Sequence, residues 1–386
     1  MRKNLTRRDL LKGTVVATTI ALADHALARF GFAELEEGES LVPFLDPQPI
    51  DPKRPMVDWQ KLESWITPTE EVFAVSHYGM VNVDLADWHL GISGLLERPM
   101  RLGLDEIKAR PRQEHVATLE CSGNGSSPKF MGAVANARWT GTPLAPILEQ
   151  CGIKPGGIEV VFFGADQNVE TIRDAEYTQN FARSLSLVDA LSDNVLLVYE
   201  LNGEPLSSRN GFPLRLLVPG WYGIAWVKWL SRIEVHDRRF MSKFMGREYV
   251  TIRGEQRGDE VVWRETSVGP MNLKSLVARV VRRPGGAVRV RGAAWTNGNR
   301  APVKAVELRI DDGPWIATKL DLEHRSQFAW TFWSYDWKDA GPGEHTLVSR
   351  AIDADGNVQP AADDPVIALK KTYWEANEQY PRRVEL

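Results

Sequence analysis

Cysteine is scarce in this sequence, which has Cys121 and Cys151 among 386 residues. Two cysteines cannot build the multiple-disulfide framework of a small secreted domain. There is no C-x-x-C pair and no C-x-x-C-H haem attachment site, so the sequence predicts neither a cysteine zinc site nor covalent haem. A Cys121–Cys151 disulfide stays open as an alternative, although Cys151 ends an apolar, helix-like segment and is interpreted as a small core residue.

The sequence also lacks an excess of either charge and a long apolar run. Its net charge of -4 gives no reason to expect nucleic acid or an anionic membrane surface as a partner. After residue 28 no segment is apolar enough to span a membrane, which takes about 20 residues. The mature chain is therefore predicted to have no membrane span.

The N-terminus has the composition of an export signal. A basic start precedes an apolar run from about Gly13 to Ala23, and Ala26-Leu27-Ala28 resembles a cleavage site, so residues 1–28 are predicted to be a signal peptide. The paired Arg7-Arg8 looks like a twin-arginine signal, which exports folded proteins and predicts a periplasmic location. An amphipathic membrane helix is the alternative, but the run shows no polar face.

The length and patterning predict two domains with different secondary structure. The first mixes strand-like runs with three short helix-like segments separated by irregular loops, which favours an α+β class with much β-structure. The second has short β-branched and aromatic runs between turns, typical of an all-β, immunoglobulin-like sandwich. The predicted bounds are an extended lead-in at 29–55, the first domain at 56–245, a linker at 246–270, the second domain at 271–375 and a tail at 376–386.

Five polar residues of the first domain stand in or beside apolar, strand-like runs. They are His77, Cys121, Asp166, Arg215 and Lys228. A buried cation is costly unless it is paired, so Arg215 and Lys228 need an anion. Asp166 could supply that anion structurally, but five such positions in one domain favour a site for an anionic ligand.

Cys121 begins a stretch of small residues at the end of a strand-like run, in "ATLECSGNG". Such a loop lets the backbone approach a ligand closely.

Several longer motifs resemble a known family. "ATLECSGNG", "WTGTPLAPILEQCGI", "GFPLRLLVPGWYGIAWVKWLSRIEV", "VRVRGAAWTNG" and "LVSRAIDADGNVQP" resemble, in this order, the molybdopterin domain and the C-terminal dimerisation domain of the sulfite oxidase family. The resemblance covers roughly residues 60–370. The tryptophan-rich run ending at Val235 looks most like the sulfane dehydrogenase subunit branch.

The resemblance implies a molybdenum–molybdopterin cofactor, with Cys121 as the only protein ligand to the metal and as the catalytic cysteine. A soft thiolate suits a metal whose other sulfur ligands come from the pterin. The family's cofactor-binding positions fall on His77, Asp166, Asn210 (where the family often has His), Arg215, Trp226, Val227 and Lys228. The resemblance also implies a homodimer and, since the chain has no haem motif, electron transfer to a separate c-type cytochrome or similar carrier.

The substrate pocket departs from the family's sulfite enzymes. Arginine positions align with Val75, Gly125-Ser126 and Thr331, and the active-site tyrosine aligns with Phe181, while Lys129 or Arg138 could substitute locally. A desolvated dianion without paired cations is penalised by several kcal/mol per charge. Free sulfite is therefore expected to bind poorly, and a less charged or carrier-bound sulfur substrate is favoured. An S-oxide reductase and a non-catalytic binding protein remain as alternatives.

Overall fold

The computed structural model describes residues 35–47, 56–127, 130–298 and 301–386. The predicted signal peptide, parts of the lead-in and Lys129 lie outside these residues. Within the described ranges, no helix has the length and apolarity needed to cross a bilayer.

Strands dominate the described chain, and its α-helices are short. The helices are α1 Leu104–Lys108, α2 Ala145–Cys151, α3 Leu187–Ala190 and α4 Pro365–Ala368. The strands are β1 Ser40–Val42, β2 Leu90–Gly94, β3 Met100–Leu102, β4 Gln113–Glu120, β5 Val134–Pro143, β6 Glu159–Ile172, β7 Ala175–Ser186, β8 Leu196–Leu201, β9 Glu204–Pro205, β10 Arg215–Leu217, β11 Leu230–His236, β12 Val250–Arg257, β13 Glu260–Ser267, β14 Lys274–Arg282, β15 Val288–Trp295, β16 Val303–Ile310, β17 Ile316–Ala317, β18 Lys319–Leu320, β19 Thr331–Trp337, β20 Glu344–Asp353 and β21 Pro381–Glu385.

Two mixed sheets form the first domain. One has the order β10-β8-β5-β4 with β9 beside β8, and the other has the order β3-β2-β11-β6-β7. Only the β2–β11 pair is parallel among the strand pairs of these sheets, so the predicted α+β class is confirmed against a doubly wound sheet. The inward side chains of β5 and β8 are fully buried and form the centre of the core.

The second domain is a sandwich of two antiparallel sheets, as predicted. Their orders are β1-β14-β15-β19-β18 and β17-β16-β20-β21. Buried apolar residues from both sheets, including Val280, Val290, Leu308 and Leu347, pack between them.

Segments outside the predicted sandwich also form strands. In the lead-in, β1 pairs with β14, and in the tail, β21 pairs with β20. Within the predicted linker, β12 and β13 form a hairpin whose register joins Val250 to Ser267 and Arg257 to Glu260. Residues that the sequence assigned to connections therefore complete the sandwich and add a hairpin beside it.

The second domain docks on β4, the strand that leads to Cys121. The amide of Thr118 donates to the carbonyl of Phe328 at 2.9 Å, and the amide of Trp330 donates to Thr118 Oγ1 at 2.8 Å. Ala117 and Phe328 form a parallel β-bridge. The position of Cys121 is therefore set by both domains.

Candidate active site

An open pocket brings together most of the predicted site residues. The predicted residues that line it are Val75, His77, Cys121, Asp166, Phe181, Arg215, Trp226 and Lys228. The other described candidates, Ser126, Asn210, Val227 and Thr331, are not among its lining residues. Residues far apart in the sequence thus converge on one cavity.

Cys121 lies directly after β4 and begins a tight turn. Its amide donates to the carbonyl of Ala133, and its own carbonyl accepts from the amide of Asn124, both at 2.9 Å. Burial raises the pKa of the Cys121 thiol, an effect partly opposed by the backbone amides of Gly123 and Asn124. The protein environment alone therefore favours the thiol, and coordination to a metal would favour the thiolate.

Both cysteines are free, so the disulfide alternative is wrong. Cys151 is fully buried at the end of α2, which agrees with its interpretation as a core residue. In the described ranges, no group of three or more His, Cys, Asp or Glu side chains is arranged to hold a metal ion.

Arg215 is a buried cation that has no carboxylate partner in the described ranges. It begins β10, and its Nη1 and Nη2 donate to the carbonyls of Asn210 and Trp226 at 3.2 and 3.3 Å. The guanidinium lies 4.9 Å from the ring centroid of Trp139. Burial lowers the pKa of Arg215 to about 9. The guanidinium is thus held by neutral groups, which leaves its charge uncompensated.

Lys228 presents a second cation to the same cavity. It follows a 3-10 turn at Gly223–Ala225, and its ammonium lies 4.1 Å from the ring centroid of Trp229. Burial, and next the charge of Arg215, lowers the pKa of Lys228 to about 7, although Asp166 acts in the opposite direction. Close packing positions this residue, because a Cβ on Gly211, whose φ is +103°, would lie 2.9 Å from Lys228 Cβ.

Asp166 does not neutralise these cations structurally. In the described part of the chain, it makes no ion pair within 4 Å with either Arg215 or Lys228. Burial raises the pKa of Asp166 to about 6, and its Oδ1 has no hydrogen-bond partner among the described residues. The three groups therefore face a shared space that an external ligand would fill.

The cofactor-free pocket is expected to bind a dianion more tightly at pH 6 than at pH 8. A bound anion stabilises protonated Lys228, whose pKa is about 7 in the free site, so affinity falls as pH rises through that value. Ionisation of Asp166, with a pKa of about 6, acts in the same direction. Sulfate titrations followed by thermal shift should show about a tenfold loss of affinity. In Lys228→Met this loss should be much smaller, and an equally steep loss in that variant would contradict the assignment.

His77 lies in a loop, not in the strand that its apolar neighbours suggested. Its Nε2 is 2.6 Å from the hydroxyl of Tyr249, and its ring stacks on Phe181 at 5.1 Å. Burial, followed by the charges of Lys228 and Lys243, lowers the pKa of His77 to about 4. The imidazole is neutral at pH 7 and acts through hydrogen bonding, not through charge.

Aromatic residues missed in the sequence complete the mouth of the pocket. Tyr249 lines it, stacks on Trp374 at 4.2 Å, and Trp374 in turn contacts Tyr373 at 4.0 Å. Phe181, which aligns with the family's active-site tyrosine, has no hydroxyl, but Tyr249 from another segment brings a phenol to the same pocket. Burial raises the pKa of Tyr249, so its hydroxyl stays protonated.

The residues that align with the family's substrate-binding arginines do not all lie at the pocket. Val75 is 46% exposed on the lining, Ser126 is exposed in the turn after Cys121, and Thr331 is buried on β19 opposite Ala294. Arg138 lies 3.4 Å from Glu114 and lines another cleft. Among the described residues, Arg215 is therefore the only arginine that lines this pocket.

Several buried polar atoms at this site have no hydrogen-bond partner among the residues that the structure describes. They are Ser122 Oγ, Asp166 Oδ1, Asn210 Oδ1 and Arg215 Nε. An unpaired buried polar atom costs about 1–3 kcal/mol, so such a cluster is typical of a site that a polar ligand fills. The set offers donors, acceptors and two cations, which fits a polar heterocycle carrying a phosphate.

Comparison with known families agrees with this geometry. Residues 77–244 match the oxidoreductase molybdopterin binding domain, and residues 270–375 match the Mo-co oxidoreductase dimerisation domain. Human mitochondrial sulfite oxidase is 31% identical over 80% of this chain, which spans 60% of the human protein. Sulfite oxidase of Gallus gallus is 30% identical over 81% of this chain and 72% of its own length.

A solved structure is similar over almost the whole chain. The crystal structure of the sulfane dehydrogenase SoxCD from Paracoccus pantotrophus superposes with a TM-score of 0.73 at 25% identity, covering 90% of this chain and 88% of the other. The sequence matches, the shared fold and the unpaired buried polar atoms near Cys121 all indicate the same family. The chain belongs to the sulfite oxidase family of molybdopterin-dependent oxidoreductases.

Proposed function

We propose that this protein is an exported molybdenum–molybdopterin enzyme that oxidises a sulfur centre by two electrons. Its substrate is a weakly charged or carrier-bound sulfur compound, and its electrons pass to a separate c-type cytochrome or similar carrier. The observation that carries the proposal is the pocket itself, where Cys121 and a buried polar cluster lie beneath an aromatic mouth.

The polar cluster has the chemistry needed to hold the cofactor. Arg215 and Lys228 would bind its phosphate, while Asn210 and Asp166 would accept hydrogen bonds from the pterin. Cys121 would be the protein's thiolate ligand to the metal. When bound, the cofactor supplies the two-electron oxygen-transfer chemistry, and the protein supplies binding, orientation and electrostatics.

The residues of the mouth determine which substrate can reach the metal. Phe181 and Tyr249 pack around neutral His77, and Val75 contributes an apolar side chain. In the described lining, Arg215 and Lys228 are the only Lys or Arg side chains, and both are assigned to the cofactor. A free dianion would lose its hydration here without gaining a dedicated cation. A neutral thiol, persulfide or thioether sulfur would not meet this penalty.

Other parts of the chain support the proposals of export and of assembly into a dimer. Arg7-Arg8 and the following apolar run support transport of the folded protein to the periplasm. The match of residues 270–375 to a dimerisation domain supports a homodimer.

The substrate proposal is tested by reductive half-reactions on molybdenum-loaded protein. A persulfidated carrier protein should reduce the metal faster than the free dianions sulfite and thiosulfate at equal micromolar concentration. In Val75→Arg the apparent affinity for sulfite should rise about tenfold, because a guanidinium is added at the exposed lining. Oxidation of free sulfite by the unmodified protein, saturating at micromolar concentration, would contradict the proposal. If the protein reduced S-oxides and oxidised none of the sulfur compounds, the proposed direction of the reaction would be wrong.

A further inference from the structure

A fully buried ion pair joins the two domains next to Cys121. Glu120 is the last residue of β4, and Lys274 is the first residue of β14 in the second domain. Lys274 Nζ lies 2.5 Å from Glu120 Oε1, and neither side chain is exposed. Trp295 Nε1 donates to Glu120 Oε2 at 2.8 Å, so the second domain contacts both carboxylate oxygens.

The same pair holds the turn that begins at Cys121. Asn124 Nδ2 donates to Glu120 Oε1 at 3.0 Å, and Lys274 Nζ donates to the carbonyl of Asn124 at 3.0 Å. Asn124 Oδ1 accepts from the amide of Ala133 at 3.1 Å. Glu120, directly before Cys121, and Asn124, three residues after it, therefore both form hydrogen bonds within the Glu120–Lys274 ion pair.

The backbone conformation and the close packing of the turn both disfavour a side chain at position 125. Gly125 has a φ of +89°, and a Cβ there would lie 3.2 Å from both Lys274 Nζ and Tyr380 Oη. An arginine at this position would be strained and would begin beside another cation. The backbone conformation and Lys274 therefore both disfavour an arginine at position 125.

Such a pair is unlike an ordinary stabilising contact. Removing two charges from water costs several kcal/mol per ion, and a buried pair is often no more stabilising than apolar residues of the same volume. Its placement beside the metal-binding cysteine indicates a different role. We propose that Glu120 and Lys274 are positioning residues through which the second domain orients Cys121 and sets the electrostatic environment of the metal; this rests on the proposed molybdenum function.

The test compares three variants, Glu120→Gln, Lys274→Gln and the double variant Glu120→Gln/Lys274→Gln. Each single variant leaves one buried charge unpaired, so molybdenum retention should fall by about tenfold, and the double variant should recover most of it. Arg350→Gln, which breaks a 2.7 Å pair with Glu307 in the second domain, is the matched control and should retain the metal.

The midpoint potential of the remaining metal separates positioning from general folding. Glu120→Gln leaves a cation near the metal and should shift the potential upward, because added electrons are stabilised. Lys274→Gln leaves an anion and should shift the potential downward, while the double variant should lie near the unmodified protein. Unchanged potentials, or shifts of the same sign in both single variants, would overturn the proposal.

A metal-independent measurement distinguishes this proposal from the assigned function. In cofactor-free protein carrying Cys151→Ala, Cys121 is the remaining thiol. Compared with the double variant, iodoacetamide should alkylate it several-fold faster in Glu120→Gln, whose remaining cation favours the thiolate, and more slowly in Lys274→Gln, whose remaining carboxylate disfavours it. Equal rates would overturn the positioning role even if molybdenum binds. Absence of molybdenum from unmodified protein, with unequal rates, would instead reject the assigned function alone.

Discussion

A Cys121→Ser variant is expected to lose molybdenum and turnover together. Serine keeps the size of the side chain but replaces a soft, acidic thiol by a hydroxyl that does not ionise near neutral pH. Substituting a residue that only hydrogen-bonds to a metal ligand lowers metal affinity or activity by about 10–100-fold. Replacing the ligand itself should therefore lower metal affinity by at least as much. Metal analysis of purified protein, with turnover measured on the same sample, checks this result.

Cys151→Ala is the matched control, because it removes the other cysteine. Cys151 is fully buried in the core at the end of α2 and lies outside the pocket. Its loss should lower the free energy of unfolding by about 1 kcal/mol through a small cavity while leaving molybdenum content unchanged. A Cys121→Ser protein that retains about one molybdenum per chain would show that another residue binds the metal.

The centre of the site could be predicted from the sequence because its members violate local patterns. Arg215 and Lys228 interrupt apolar runs, and Cys121 ends a strand before small residues. A polar residue within a buried strand has few structural explanations, so local context alone was informative. These residues do meet in one pocket.

The mouth of the pocket could not be predicted in the same way, because tertiary contacts create it. Tyr249 precedes the hairpin formed by β12 and β13, and Trp374 lies between β20 and β21, yet their rings stack at 4.2 Å. Glu375 connects these segments, accepting from Thr251 Oγ1 at 2.6 Å and from the amide of Gly269 at 3.2 Å. Nothing in the local sequence of either segment marks these contacts.

The hairpin itself had a signal that the predicted linker overlooked. Alternating residues on both sides of Arg257-Gly258-Asp259 are typical of two paired strands around a tight turn, and Gly258 has a φ of +61°. His77 shows the opposite error. Its apolar neighbours resemble a strand, but Phe73 is buried in the core while Val75 is exposed at the pocket. The apolar composition around His77 therefore did not predict its loop conformation, because only some of these apolar side chains are buried.

Arg215→Met is expected to separate cofactor binding from stability. The variant removes the guanidinium that would contact the cofactor's phosphate, and cofactor content should fall by about tenfold or more, since a charge-assisted bond contributes about 1.5–3 kcal/mol. In the cofactor-free protein, the free energy of unfolding should stay within about 1 kcal/mol, because removing an uncompensated buried charge offsets the two lost carbonyl contacts.

Arg215→Lys and Arg232→Met make this prediction specific. Lysine keeps the charge but cannot reach both the Asn210 and Trp226 carbonyls, so cofactor content should be intermediate. Arg232 also stacks on an aromatic ring, Phe163, but lies outside the pocket, so its replacement should leave cofactor content unchanged. Parallel measurement of pterin content and denaturant unfolding covers both effects. If Arg215→Met unfolds readily and still binds the cofactor, the guanidinium stabilises the fold, and the phosphate site must be sought around Lys228 alone.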